Sequence, residues 1–472
     1  MDEGVATTAA AHSAVARHEP GHRSAASTAL PNGVVLALPT TTAAQHGPVA
    51  GWVSTAGWAS ALRRVIGAAW IATPEGILDE HAARARASRP ELAPPPRTAR
   101  SRLPVLVKTA VKDVREFRRA RAFHIPTGGP WDGHAVEFVW QRHELFHRAG
   151  LDLARRLGVP AVSFVPAPLV WQASEWGVRR LGWSRQLERV EAAQLRSATL
   201  IAAGTDTVAA HLTRMGVPES RIVVTPTGID IDVFDATAGG AEARRATRRE
   251  LGVDGSVVVG WVGSFRRFHA LDLAVDALAR SADASSTAAA AGAAGSAGSA
   301  GSAEPTRSIR PGDRGRVTLL LVGDGPERAR VEARARDAGI RVVATGTVTH
   351  DRMPALMRAM DIALVLAERG KPFHYSPLKL SEYLAAGVAV VAPDAGEIPM
   401  RFRAPDELLL FTPGDVASLR HRIDQLIGDP ELRNRLASTG PGVARARATW
   451  DRSVERIVSA LDARPGEFVR SQ

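Results

Sequence analysis

A serine and a proline opening a helical stretch, a lysine in its first turn and a glutamate further along it make Ser376-Pro377-Leu378-Lys379-Leu380-Ser381-Glu382 the chemically richest text in this chain. Ser376 is a good N-cap, and Pro377 suits the first helical position. A helix starting there presents unpaired N–H groups and the positive end of its dipole, a ready site for a phosphate or diphosphate. Lys379 would add a charge, and Glu382 would carry a carboxylate able to accept hydrogen bonds from paired ribose hydroxyls. The same letters also suit a capped amphipathic helix whose Lys379 and Glu382 pair at the surface.

Other candidates fall at predicted strand ends. Gly323-Asp324-Gly325 and Gly346-Thr347-Val348 each put small residues where a base or ribose could approach closely. Gly263-Ser264-Phe265-Arg266-Arg267-Phe268-His269 brings two arginines and a histidine to the same edge. The guanidinium fork of Arg266 or Arg267 suits phosphate oxygens, and His269 beside a diphosphate could gain charge. Arg142 and His143 end another predicted strand that would face a cleft, where His143 could orient an acceptor or share its proton. For every one of these residues, a solvated or merely structural role is the competing reading.

Such residues need a scaffold that brings strand ends together. Short β-branched runs recur at Val34–Leu38, Ala69–Thr73, Ala135–Trp140, Ala161–Val165, Leu200–Ala203 and Ile222–Thr225, separated by helical text such as Trp52–Ile66 and Leu106–Arg121. A second series follows at Val257–Val262, Val317–Val322, Arg341–Ala344, Ile362–Leu366, Val388–Ala392 and Leu408–Phe411. Strands alternating with helices predict parallel sheets covered on both faces, so the fold class is α/β with two doubly wound, Rossmann-like domains. Ligands of such sheets bind at the carboxyl ends of the strands, which places the working site in the cleft between domains. The expected organisation is a disordered tail over 1–31, a first domain over 32–235, a connection over 236–255, a second domain over 256–440 and a C-terminal helix in 441–472. The Ala, Gly and Ser repeats of 284–304 read as a floppy insertion with no catalytic part.

Composition narrows the chemistry. The 472 residues, 45% hydrophobic and 23% charged, suffice for two cores. With no cysteine, thiolate metal sites, disulfides and cysteine nucleophiles are excluded. The formal charge of +11 favours anionic partners such as nucleotides, phospholipid headgroups or nucleic acid without choosing among them. Much of the arginine sits in alanine-rich helical text such as 328–336, read as a solvated face. With no long apolar run and no basic-then-apolar start, the chain reads as cytoplasmic.

From about Ser256 to Asp429 the chain resembles the nucleotide-sugar-dependent glycosyltransferases of family 4, which have the two-domain GT-B fold. The matching text is Val262-Gly263-Ser264-Phe265, Leu320-Leu321-Val322-Gly323-Asp324-Gly325-Pro326, Ala344-Thr345-Gly346-Thr347-Val348 with Met353-Pro354, and Ser376 through Gly387. Several motifs in one order and spacing make this specific. The first half agrees more loosely through Val139-Trp140-Gln141-Arg142-His143-Glu144, Leu157-Gly158-Val159-Pro160 and Thr225-Pro226-Thr227-Gly228-Ile229-Asp230.

The resemblance implies a retaining transfer of a hexosyl-type sugar from a nucleoside diphosphate sugar to an acceptor hydroxyl, with no bound metal and no cofactor. Donor contacts would fall on Gly263, Ser264, Gly323, Gly325, Thr347, Val348, His374, Ser376, Pro377 and Leu378. Arg266, Arg267, His269, Lys379, Glu382 and His143 would carry the chemistry, with Glu382 on the ribose. The glycine-containing loop with Gly47 and Gly51, together with Arg142, would serve the acceptor side. The acceptor would be a glycan, a lipid or a small molecule, and nucleic acid is not an expected partner. Three positions depart from the family pattern. His374 stands where it has its first glutamate, and Ser264 with His269 stand where it has arginine and lysine. A GT-B nucleotide-sugar epimerase and a catalytically weak nucleotide-sugar-binding subunit are the alternatives. Trp171, Trp176 and Trp183 with Arg179, Arg180 and Arg185 form an aromatic and basic stretch suited to peripheral contact with the inner face of a membrane, or to packing on the first domain.

Overall fold

The computed structural model describes residues 30–39, 50–87, 105–175, 178, 180, 182–231, 233–234, 240–279, 317–370 and 378–464. Residues 1–29 of the expected tail and the whole of 284–304 lie outside them.

The first domain is a seven-stranded sheet in the order β3-β2-β1-β4-β5-β6-β7. Its strands are β1 (Gly33–Ala37), β2 (Ala68–Thr73), β3 (Gly76–Leu78), β4 (Val136–Arg142), β5 (Ala161–Val165), β6 (Leu200–Ala203) and β7 (Ile222–Val224). All neighbours pair in parallel except β2 and β3, which form a tight antiparallel hairpin. The second domain is a six-stranded, wholly parallel sheet in the order β10-β9-β8-β11-β12-β13. It consists of β8 (Val257–Val262), β9 (Val317–Val322), β10 (Arg341–Gly346), β11 (Ile362–Leu364), β12 (Ala389–Pro393) and β13 (Leu409–Phe411). The strand order reverses between β8 and β11, so their carboxyl ends open a crevice at the switch point.

Each sheet is covered on both faces, and the period of two in its strands divides the side chains between two cores. In β1, Val34 and Leu36 join one apolar cluster while Val35 and Ala37 join the other. In β9, Leu320 and Val322 face one side and Leu319 and Leu321 the other. This two-sided burial is why the strands read as continuous apolar runs.

Two chain crossings run side by side between the domains. Ile229 pairs with Thr449 in a parallel bridge, and the Ile229 N–H donates to the Ala448 carbonyl at 2.7 Å. After the second crossing the helix Trp450–Asp462 returns to the first domain, where Trp450, Val454 and Ile457 are buried in its core beside Trp58, Trp140 and Phe164. The expected boundary at 440 therefore needs correction. The helix Pro430–Arg447 runs through it, and the element that leaves the second domain begins only at Trp450. The stretch read as a connection, 236–255, contains the helix Gly240–Glu250, which is part of the second domain. Its Arg244 and Arg248 bind Asp361, at 2.6 and 3.0 Å, just ahead of β11. No helix among the described residues is long and apolar enough to cross a membrane.

Candidate active site

The carboxyl edge of the second sheet is built from backbone. Gly263 follows β8, Gly323 follows β9 and Gly346 ends β10, and they are joined in a row by Gly263 N–H to Val322 O and Gly323 N–H to Gly346 O, both 3.0 Å. Gly323 sits at φ +119°, and a Cβ there would lie 2.1 Å from the Gly263 carbonyl oxygen. Only glycine lets these two strand ends approach so closely. Beyond them Thr347 and Ser264 are exposed and Val348 is half-buried, while Gly325 lies against the backbone of Phe265.

The helix that follows the second domain's fourth strand occupies Leu378–Ala385. Ser376, Pro377 and His374 lie outside the described residues, as does Gly47 in the first domain. Tyr383 is fully buried, and its hydroxyl accepts a 2.8 Å hydrogen bond from the Val262 N–H, which pins the helix against the end of β8. That anchoring sets the position of Lys379 in the first turn. Its Nζ lies 4.4 Å from the Trp261 ring centroid and 3.0 Å from where a side chain on Gly263 would begin, so the glycine makes room for the ammonium.

Glu382 is 8% exposed and has no hydrogen-bond partner among the described residues. With Leu378 it lines a cavity of about 180 Å³ between the domains, closed by Arg84, Asp230, His350, Asp351, Phe234 and Trp450. Burial pushes the Glu382 carboxyl up to about 7, with Lys379 opposing, and pushes the Lys379 ammonium down to about 7, with Glu382 opposing. Burial thus holds both groups near the point of losing their charges. The reading of Lys379 and Glu382 as a solvated surface pair is excluded by this burial.

Arg266 and Arg267 project from the exposed loop after Gly263 and carry the cationic part of that edge. His269 does not add to it. Half-buried against Trp261, with ring centroids 5.3 Å apart, its imidazole is held down to about 3, by burial first and then by Lys379 and Arg266. The expected gain of charge beside a diphosphate would start from a neutral side chain that packs at the edge, 3.4 Å from Ser264 Oγ.

On the first-domain side, Gly51 lies in the first turn of the helix Ala50–Val65, with open space around its Cα. Arg142 ends β4 and lies 3.8 Å from Glu144. His143 is buried rather than open to a cleft, and this corrects its expected role on the acceptor. Its Nε2 lies 2.9 Å from Glu191, whose carboxylate also accepts the N–H groups of Leu169 and Val170. The histidine therefore holds the carboxylate that caps the helix Leu169–Glu175.

Four residues behind His143, His147 is 2% exposed with neither ring nitrogen hydrogen-bonded among the described residues, and burial with nearby Arg119 lowers it to about 4. Its free-chain value is 6.5, so the unfolded chain takes up this proton first and stability is lost as pH falls from about 6.5 towards 4. His147→Phe is expected to flatten that part of a melting-temperature profile, with up to about 3 kcal/mol of pH-dependent stability at stake. An unchanged slope in the variant would show that other groups carry it.

Arg84, Asp230 and His350 were not legible as site residues. Arg84 lies in alanine-arginine helical text in the first domain, yet it donates to Asp230 in the first crossing at 2.8 Å and to Ser60 at 2.7 Å. His350 joins from the loop after β10, edge-on to Phe234 with centroids 5.7 Å apart. The Thr-Pro-Thr-Gly-Ile-Asp turn was the one available signal.

With both sheets and this cleft in place, similarity to known proteins decides the family. A model described as glycosyltransferase family 4 matches residues 58–233, and one described as glycosyl transferases group 1 matches 302–429, so each domain is matched separately. The chain belongs to the family 4 glycosyltransferases. Among family relatives, a 2-deoxystreptamine glucosyltransferase of Streptomyces kanamyceticus is 29% identical over 60% of this chain and 65% of its own length. A GDP-mannose-dependent alpha-mannosyltransferase of Mycobacterium tuberculosis is 28% identical over 59% of this chain and 60% of its own. The match therefore spans less than two thirds of either relative. The GT-B fold is shared with solved structures. Anabaena Alr3699/HepE in complex with UDP has a TM-score of 0.58 at 17% identity, covering 92% of this chain and 100% of that one. WaaG, a glycosyltransferase involved in lipopolysaccharide biosynthesis, has a TM-score of 0.54 at 17% identity over the same shares.

Proposed function

We propose that this family 4 chain transfers a hexosyl group from a nucleoside diphosphate sugar to an acceptor hydroxyl, with retention of anomeric configuration and without a divalent ion. The observation that carries this reading is Glu382, a buried carboxylate with no hydrogen-bond partner among the described residues, which opens onto the interdomain cavity one helical turn from Lys379. A carboxylate so placed is suited to the paired hydroxyls of a ribose. Lys379 beside Gly263 then falls where a diphosphate would lie, with the first N–H groups of the helix Leu378–Ala385 next to it.

Cleaving the bond from sugar to diphosphate builds negative charge on the leaving oxygen. Lys379, the helix N–H groups and the exposed Arg266 and Arg267 are the groups that would stabilise it. The departing oxygen could take the acceptor proton from the same face, so no protein nucleophile is needed. The names of the relatives, a glucosyltransferase and a GDP-mannose-dependent mannosyltransferase, favour a hexose and make GDP one candidate nucleotide. A small-molecule, glycan or lipid acceptor would enter from the first domain.

Glu382→Ala is expected to weaken binding of UDP or GDP by about 10- to 100-fold, the loss of charged hydrogen bonds to two hydroxyls. Calorimetry on the purified variant reads this directly, and unchanged affinity would remove the site. Nucleotide release from a panel of nucleotide sugars, run with and without EDTA, distinguishes transfer from epimerisation or from binding without turnover.

A further inference from the structure

A helix start leaves its first N–H groups without partners inside the helix, and at one helix of the first domain the second domain supplies an acceptor. The helix Asp206–Arg214 follows β6 at the carboxyl edge of the first sheet. Thr205 caps it from its own side, its hydroxyl accepting the Val208 N–H at 3.1 Å. The Asp206 N–H donates instead to Glu397 Oε1. Glu397 stands between β12 and the short helix Ile398–Arg401, at the carboxyl edge of the second sheet.

Both ends of this join are anchored. Val208 and Leu212 bury the first helix in its domain's core, and His211 on it stacks against Trp171 at 4.4 Å. Of the two roles expected for its aromatic and basic stretch, Trp171 thus takes the packing one, as does Arg180 in its 3.0 Å ion pair with Asp113; Trp176 and Arg179 lie outside the described residues. On the other side, Ile398 and Phe402 sit in the second domain's core. Glu397 is 8% exposed, its Oε2 has no hydrogen-bond partner among the described residues, and Arg401 Nη1 stands 3.7 Å from that oxygen. Burial, and then the neighbouring Asp206 carboxylate, push the Glu397 carboxyl above its usual range against the pull of the Asp206 N–H and Arg401.

We infer that Glu397 is a clasp for the interdomain cleft: a positioning residue that caps the opposite domain's helix, holds the two carboxyl edges together and lets go when the cleft opens. Neither partner belongs to the crossings at Ile229 and Thr449, so the crossings serve as hinge and this bond as fastening. β12 directly follows the helix that carries Lys379 and Glu382, so the clasp moves with the donor groups. A single hydrogen bond to a helix start biases closing and still breaks in each cycle. That a donor lies in the cleft rests on the function proposed above; the fastening of the domains does not.

The chain has no cysteine, so spin labels on Thr213→Cys and Met400→Cys, both exposed on either side of the join, read the width of the cleft by double electron–electron resonance with no donor present. Asp206→Pro is the decisive variant, because proline suits the first helical position and lacks the N–H that Glu397 accepts. It should add a population at longer distance, and so should Glu397→Ala. Asp206→Ala keeps the N–H and Glu397→Gln keeps an acceptor, so both should retain the parent's distance. Asp206→Pro and Glu397→Ala remove one bond from opposite sides, so either suffices if the other fails to fold. In turnover, a mostly open free enzyme should raise the donor KM about tenfold and leave kcat within about threefold. Parent-like distances in the proline and alanine clasp variants, or equal opening in Asp206→Ala, would overturn the inference. A fall in kcat at unchanged KM would overturn it too, by putting the effect on the chemistry. If no nucleotide sugar is turned over, the distances alone decide, so the clasp and the catalytic reading fail separately.

Discussion

Lys379→Met is expected to lower kcat by about 10²- to 10³-fold, the usual cost of removing one preorganised group from a developing charge. Its side chain is the one cation that the described residues hold rigidly at the strand-end glycine, between the Trp261 ring and Gly263. Arg266 and Arg267 are exposed on a loop and must be brought to the phosphates, so they replace little of it. Nucleotide affinity should fall much less than turnover, because charge on the leaving oxygen grows only as the bond breaks. Lys379→Arg is not a rescue. The longer arm and planar fork of arginine spread the charge away from the single point the ammonium holds, 3.0 Å from where a side chain on Gly263 would begin.

The same lysine sets the pH response. Burial lowers Lys379 to about 7, so the free enzyme loses this cation as pH rises through that value. Glu382, raised to about 7, loses its charge as pH falls through it. Because kcat/KM reports on free enzyme, its profile should be a narrow bell centred near neutrality. In Lys379→Met the alkaline limb should disappear. A bound diphosphate would restore the ammonium, so kcat should be flatter than kcat/KM. A measured kcat within threefold of the parent would show that the leaving group lies elsewhere.

What could be read from the letters follows the range of the interactions involved. β5, β6, β8 and β9 coincide with their expected limits because each is buried on both faces and so stands out as an unbroken apolar run. The hairpin strand Gly76–Leu78 escaped, since three residues carry no period. Lys379, Glu382, Gly263 and Gly323 were legible because helix starts and strand-end glycines are local signals. Arg84, Asp230 and His350 were not, because they come from three separate segments and meet only where the crossings pack. His143 was found, but its partner Glu191 lies 48 residues away and turned a candidate acceptor group into part of a buried cap.

The crossings also explain why Trp450→Ala should be the most damaging change remote from the chemistry. Trp450 belongs to the last described helix and is only 2% exposed. Its ring lies 5.1 Å from Trp58, which is itself 5.3 Å from Trp140, so the C-terminal helix is locked into the first domain's core through a cluster of tilted aromatic rings. Gly57 makes the fit possible, since a Cβ there would lie 2.1 Å from the Trp450 indole nitrogen. Truncation to alanine leaves an indole-sized void in a packed core and should cost about 3–5 kcal/mol. The loss would not stay local. The residue before Trp450 bridges Ile229, and Trp450 closes one wall of the Glu382 cavity, so loosening this helix frees both crossings at once. The two domains would then lose their common hinge, and nucleotide affinity should drop together with melting temperature although no donor contact was removed. Gly57→Val tests the same joint from the other side by forcing the ring out. If Trp450→Ala melts within about 1 kcal/mol of the parent and binds nucleotide equally well, the returning helix is not what holds the cleft together.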